Sequence, residues 1–90
     1  MTHISRNPKK LLSRVRRIGG QVAALEKALQ EGGECAQVLV QIAAVRGAVH
    51  GLMLETVSEY LLEHVAVEAD EQRRSAEARI VIDLMRTYAK

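Results

Sequence analysis

Aromatic side chains are nearly missing from this chain: Tyr60 and Tyr88 are the only two among 90 residues, with no Phe and no Trp, although apolar residues make up 48%. Sheet cores draw on aromatic and β-branched residues, so the shortage favours aliphatic helices. A catalytic pocket is usually a concave apolar cavity with convergent polar groups. Leu, Ile, Val and Ala from one short chain are poor material for one, which argues against an enzyme. Cysteine occurs once, at Cys35, so no internal disulfide can form. No apolar run approaches the roughly 18 residues of a membrane span, and the polar N-terminus lacks the apolar core of a signal peptide. These absences lead to the expectation of a cytoplasmic protein with no membrane partner.

Negative charge is absent from the first 25 residues, which hold Arg6, Lys9, Lys10, Arg14, Arg16 and Arg17. The formal net charge of +2 hides this asymmetry, since all the acids follow. A basic end on an otherwise acidic chain points to a polyanion such as nucleic acid or an anionic membrane surface. Lys10, Arg14 and Arg17 share one helical face with Arg16 beside them, and Arg46 extends the patch. Phosphate contacts of this kind give affinity with steep salt dependence, while sequence preference comes from a few side chains or from DNA shape. Gln21 is placed either to reach DNA or to satisfy a buried contact.

Hydrophobic spacing predicts one all-α domain over residues 1–90, with a flexible tail at 1–7 and helices over about 8–30, 34–64 and 70–88. Asn7-Pro8 is a helix start. Leu11, Val15, Ile18, Val22, Leu25 and Leu29 then follow at intervals of three and four, a heptad seam. Gly19-Gly20 imply a bend or a close approach by another backbone, and Gly32-Gly33 end the helix. Helix 2 continues the pattern through Val38, Ile42, Val45, Val49 and Leu52, with a small-residue middle at Ala43, Ala44, Gly47, Ala48 and Gly51. Such residues let two helices come close. A core of this size buries only about 65% of the unfolded surface, so partner chains are expected. Antiparallel helical hairpins forming a dimer or tetramer answer that need.

Cys35, His3, His50 and His64 are the candidate metal ligands or nucleophiles. Cys35 and His64 stand roughly 43 Å apart along one helix, so they meet only between chains. An antiparallel pairing of two helices 2, with Cys35 opposite residues 60–64, crosses between Ala48 and Val49, where the small residues cluster. Helix 1, running back along helix 2, brings the tail with His3 over His64. Two such sites then form per dimer, with Tyr60 and His64 on one helical face. His50 lies far from the Cys35 level and reads as structural or DNA-facing.

RVRRIGGQ at 14–21, EC at 34–35 and QIAAVRGAVHGLM at 41–53 resemble the CsoR/RcnR/FrmR family of bacterial transcriptional repressors over residues 11–64, and more loosely over the whole chain. The resemblance implies an all-α protomer, a dimer-of-dimers homotetramer, binding of operator DNA without a helix-turn-helix, and release of the operator on effector binding. It also implies which effector. The chain is similar to the nickel/cobalt branch at His3, Cys35 and His64, together with the amine that Thr2 exposes once Met1 is removed. It departs at Tyr60, where that branch has His. The copper branch has Cys where His64 stands, the formaldehyde branch has Pro where Thr2 stands, and the sulfur branch needs a second cysteine.

Amine, imidazole and thiolate donors suit Ni(II), Co(II) or Zn(II), whereas Cu(I) prefers more sulfur. Tyr60 is open to several roles, as a packing residue, as a hydrogen-bond partner of a ligand, or as a weak ligand. A formaldehyde sensor is the alternative, with an aldehyde bridging Cys35 and the N-terminal amine. From another class, the chain is a structural helical oligomer whose basic face binds acidic partners.

Overall fold

The structure, a computed structural model, describes residues 8–88. It contains α1 (Lys9–Gln30), α2 (Cys35–Leu61), a π-helical turn (Leu62–Ala66) and α3 (Glu71–Tyr88), and no strand among the described residues. The all-helical expectation therefore holds for the protomer. The tail at 1–7, with Thr2 and His3, lies outside the described residues.

Local chemistry sets each helix end. Gly32, at φ +70, takes the left-handed conformation that Gly reaches without steric penalty. Its N–H donates to the Leu29 carbonyl at 3.3 Å and the Gly33 N–H donates to the Ala28 carbonyl at 2.7 Å. This pair of bonds is a Schellman stop. Gly33 avoids a tight backbone contact, because a Cβ there would stand 3.0 Å from the Ala28 carbonyl oxygen. The Glu34 carbonyl accepts from the Val38 N–H at 3.0 Å and opens α2. Asp70 caps α3, accepting the Arg73 N–H on Oδ2 at 3.1 Å and the Arg74 N–H on its carbonyl at 2.9 Å. Glu68 braces the cap: its carboxylate accepts the Asp70 N–H and its carbonyl accepts from the Arg74 guanidinium.

Two compact units divide the chain, Lys9–Leu52 and a second beginning at Met53. In the first, the half-buried stripe of α1 is Leu11, Arg14, Ile18, Gln21, Leu25 and Ala28, and that of α2 is Val38, Gln41, Val45 and Ala48. The predicted α1 seam is thus split. Leu11, Ile18 and Leu25 are shielded, but Val15, Val22 and Leu29 remain exposed, with Leu12 beside them. The physical reason is geometric: a 3–4 spaced pattern marks a stripe wide enough for two neighbours, and one chain supplies one. On α2, Leu39, Ile42 and Val49 are exposed in the same way. α1 passes through Gly19-Gly20 as unbroken helix, and the space where a Cβ would stand is open at both. No close approach to either glycine occurs among the described residues.

In the second unit the π-helical turn packs on α3, and Val81 of α3 is the one buried apolar residue among those described, at 4% exposure. Helix 2 stops being α-helical at Leu61, so the expected span to residue 64 is corrected: His64 falls in the π-helical turn. The continuous segment Cys35–Ala66 is long and apolar enough to cross a membrane by length and composition alone. It holds no unbroken apolar run of that length, but Ala and Gly keep the average high around Arg46 and His50. An all-round apolar helix is equally what a helix covered by other helices requires.

Candidate functional site

Tyr60, in the last turn of α2, and His64, in the π-helical turn, come together as the four-residue spacing predicts. Their ring centroids are 4.7 Å apart with planes tilted by 53°. Both are half-buried. The Tyr60 hydroxyl donates a hydrogen bond to a carboxylate oxygen of Glu77 on α3. Burial, this hydrogen bond and the Glu77 charge all favour the neutral phenol, whose pKa is pushed up to about 12. Tyr60 also lines an apolar cavity of about 180 Å³ with Thr56, Val57, Val81 and Leu84.

Cys35 heads α2 as an exposed free thiol, at the positive end of the helix macrodipole. Among the described residues no group of three or more His, Cys, Asp or Glu is arranged to hold a metal ion. Thiol sulfur and imidazole nitrogen are nonetheless donor types that transition metal ions take. His50 is exposed in the middle of α2.

The basic face is built on α1. Lys9, Lys10, Arg16 and Arg17 are exposed, as is Arg46 on α2. Arg14 differs: it is half-buried, and its guanidinium lies against Gly51, where an added Cβ would stand 3.3 Å from Nη1. Gln21 also departs from the solvent-facing set. Its Oε1 is buried without a hydrogen-bond partner, as is that of Gln41, so both amides sit on the half-buried stripes of their unit.

Two residues gain a role only from the structure. Glu77 is seventeen positions from Tyr60 on another helix, so no helical spacing links them. Gly51 belongs to the small-residue cluster of α2, but only the side chain crossing it shows what its lack of a Cβ accommodates.

Comparison with known proteins gives the same picture over the full length. The model of the metal-sensitive transcriptional repressor family matches residues 7–87. A protein from the bioA 5′ region of Serratia marcescens is 50% identical over 91 residues, covering 100% of both chains. The transcriptional repressor RcnR of Salmonella paratyphi B is 46% identical over 90 residues, again covering 100% of both. Among solved structures, a histidine-for-glutamate variant of the formaldehyde-responsive regulator FrmR from Salmonella enterica serovar Typhimurium superposes with a TM-score of 0.83 at 46% identity, covering 92% of this chain and 98% of that one. From its helical framework to its motifs, this chain belongs to the metal-sensitive transcriptional repressor family, a family of DNA-binding regulators and not of enzymes.

Proposed function

We propose that the protein is a homotetrameric, cytoplasmic repressor that binds operator DNA through the basic face of α1 and releases it when a transition metal ion, Ni(II) or Co(II) first, binds between subunits. Cys35 of one chain would supply a thiolate, and His64, His3 and the Thr2 amine of another would supply nitrogen donors. Zn(II) also fits this set, and Cu(I) fits less well for want of sulfur. The observation that carries the reading is the pair formed by an exposed thiol at the head of α2 and an imidazole held in a π-helical turn, since π turns recur at functional sites. The uncovered Val15, Val22 and Leu29 stripe supports a subunit interface.

On the DNA side, Lys9, Lys10, Arg14, Arg16 and Arg17 would contact phosphates, with Arg46 and Gln21 as outlying contributors. Coupling of about 1–3 kcal/mol between the two sites suffices for regulation. The test is to titrate Ni(II), Co(II), Zn(II), Cu(I) and formaldehyde into the protein–operator complex and follow release. Cys35→Ala is expected to abolish release while leaving operator affinity within about 2-fold, below the roughly 5–150-fold span of typical couplings. Release by formaldehyde alone would favour the second reading, an aldehyde sensor, which the likeness to a formaldehyde-responsive regulator supports. Binding without sequence preference and without any effector response would leave the structural oligomer.

A further inference from the structure

Tyr60 stands beside His64, where the proposed metal site would gain a fifth protein donor, yet its surroundings give it a different task. Its hydroxyl proton is committed to the Glu77 carboxylate. Its ring approaches the His64 imidazole at 4.7 Å between centroids. The same side chain closes the apolar cavity against Val81 and Leu84 of α3. A phenol fastened at its tip and packed along its ring cannot swing toward a metal without breaking the bond to Glu77 and opening that cavity. Residue 60 is therefore a strut between His64 and α3, not a free donor.

We propose that Tyr60 is a positioning residue which stays out of the coordination sphere, orients the His64 imidazole through ring contact, and passes effector occupancy at His64 to α3 through Glu77. The inference rests on the metal reading above and adds how that site is coupled. A metal that fixes the His64 ring fixes Tyr60 by contact, and the Tyr60–Glu77 hydrogen bond turns that into a restraint on α3. The π-helical turn packs on the same helix, so α3 receives the signal from two adjoining points.

The test uses the full-length protein and operator DNA selected by the effector-free protein from genomic fragments. Co(II) is the probe, because its visible ligand-field bands and thiolate charge-transfer band report the donor set directly. Tyr60→Phe keeps the ring and removes the hydroxyl; Glu77→Ala removes the acceptor; Glu77→Gln keeps an acceptor oxygen. Far-UV circular dichroism confirms that each variant is helical. Tyr60→Phe and Glu77→Ala are expected to leave the Co(II) spectrum and affinity unchanged. Each should shrink the metal-induced loss of operator affinity by about 5-fold, the lower end of the roughly 5–150-fold coupling usual for allosteric sites. The double variant should be no worse than either single one, and Glu77→Gln should restore most of the response. Tyr60→His, which adds an imidazole, should change the spectrum.

A Tyr60→Phe protein with altered Co(II) bands makes Tyr60 a ligand and overturns the proposal. So does a wild-type release response that Tyr60→Phe and Glu77→Ala both retain in full. Wild-type protein that neither binds Co(II) nor leaves the operator in its presence overturns the metal reading itself, and the proposal with it.

Discussion

At the scale of single residues, two side chains have meanings set by what they touch. Arg14 lies against Gly51, where an added Cβ would stand 3.3 Å from Nη1 and shift the guanidinium slightly. Gly51→Ala would put a methyl group against Nη1, the far end of a flexible side chain, and displace it at little cost. Ala is the better helix former by about 1 kcal/mol, so the melting temperature is expected to stay level or rise. Operator affinity should nevertheless fall several-fold. Thermal melts and DNA titrations of the same preparation check both signs, and unchanged DNA binding in Gly51→Ala alongside weakened binding in Arg14→Ala would refute the placement.

Tyr60 gives a pH prediction. Its phenol is raised from 10.0 to about 12 in the folded chain, so the folded form holds a proton that the unfolded form loses first. The stabilisation is complete below about pH 10 and declines as pH rises from there toward 12. In a Tyr88→Phe background, where Tyr60 is the only tyrosine, the tyrosinate absorbance should rise near the upper end of that window. Glu77→Gln should move the rise to lower pH.

At the scale of elements, end signals outweigh spacing. Asp70 satisfies the Arg73 N–H at 3.1 Å, and Asp70→Ala should cost about 1 kcal/mol, the usual value of an N-cap. Denaturant unfolding followed by circular dichroism measures this, and a cost near zero would mean that Glu68 and the backbone hold the helix start by themselves. The break between α1 and α2 is legible in the sequence because Gly32-Gly33 is a local device, whereas Asp70 is recognised as a cap only from its hydrogen bonds. The π-helical turn is not legible. A pattern of apolar residues at three and four does not distinguish a widened turn from an α turn over five residues. Nor does the spacing tell which half of the α1 seam one chain covers, since Leu11, Ile18 and Leu25 look the same on paper as Val15, Val22 and Leu29. The Tyr60–His64 contact is legible from a spacing of four, while Glu77 is hidden because a contact between separate helices leaves no mark on local sequence.

At the scale of the whole molecule, charge asymmetry and uncovered apolar surface each make a solution prediction. Six basic residues precede the first acid, and each phosphate deprived of its cationic partner should flatten the dependence of log affinity on log salt by about 0.9. Arg17→Ala should therefore weaken operator binding and reduce that slope by about one unit without changing metal affinity. An unchanged slope would place Arg17 away from phosphate. Leu29, Val15 and Val22 at 61%, 48% and 45% exposure leave a stripe that a second copy would cover. Association of that kind makes the melting temperature rise with protein concentration. A melting temperature independent of concentration, with a monomer in sedimentation, would leave the stripe for some other partner.

The π-helical turn at Leu62–Ala66 is one residue wider than an α turn. A turn that closes one residue later than an α-helix takes up one spare letter of the chain. Were the same residues to close as α, everything beyond would advance by one step, about 100° and 1.5 Å, and the chain would leave the end of α2 in another direction. A ligand on His64 that favours one closure over the other thereby chooses that direction. With Leu62 removed, the turn has no spare letter to take up or give back. Such a shortened chain would keep its helices, its basic face and its grip on DNA, and be deaf to its effector.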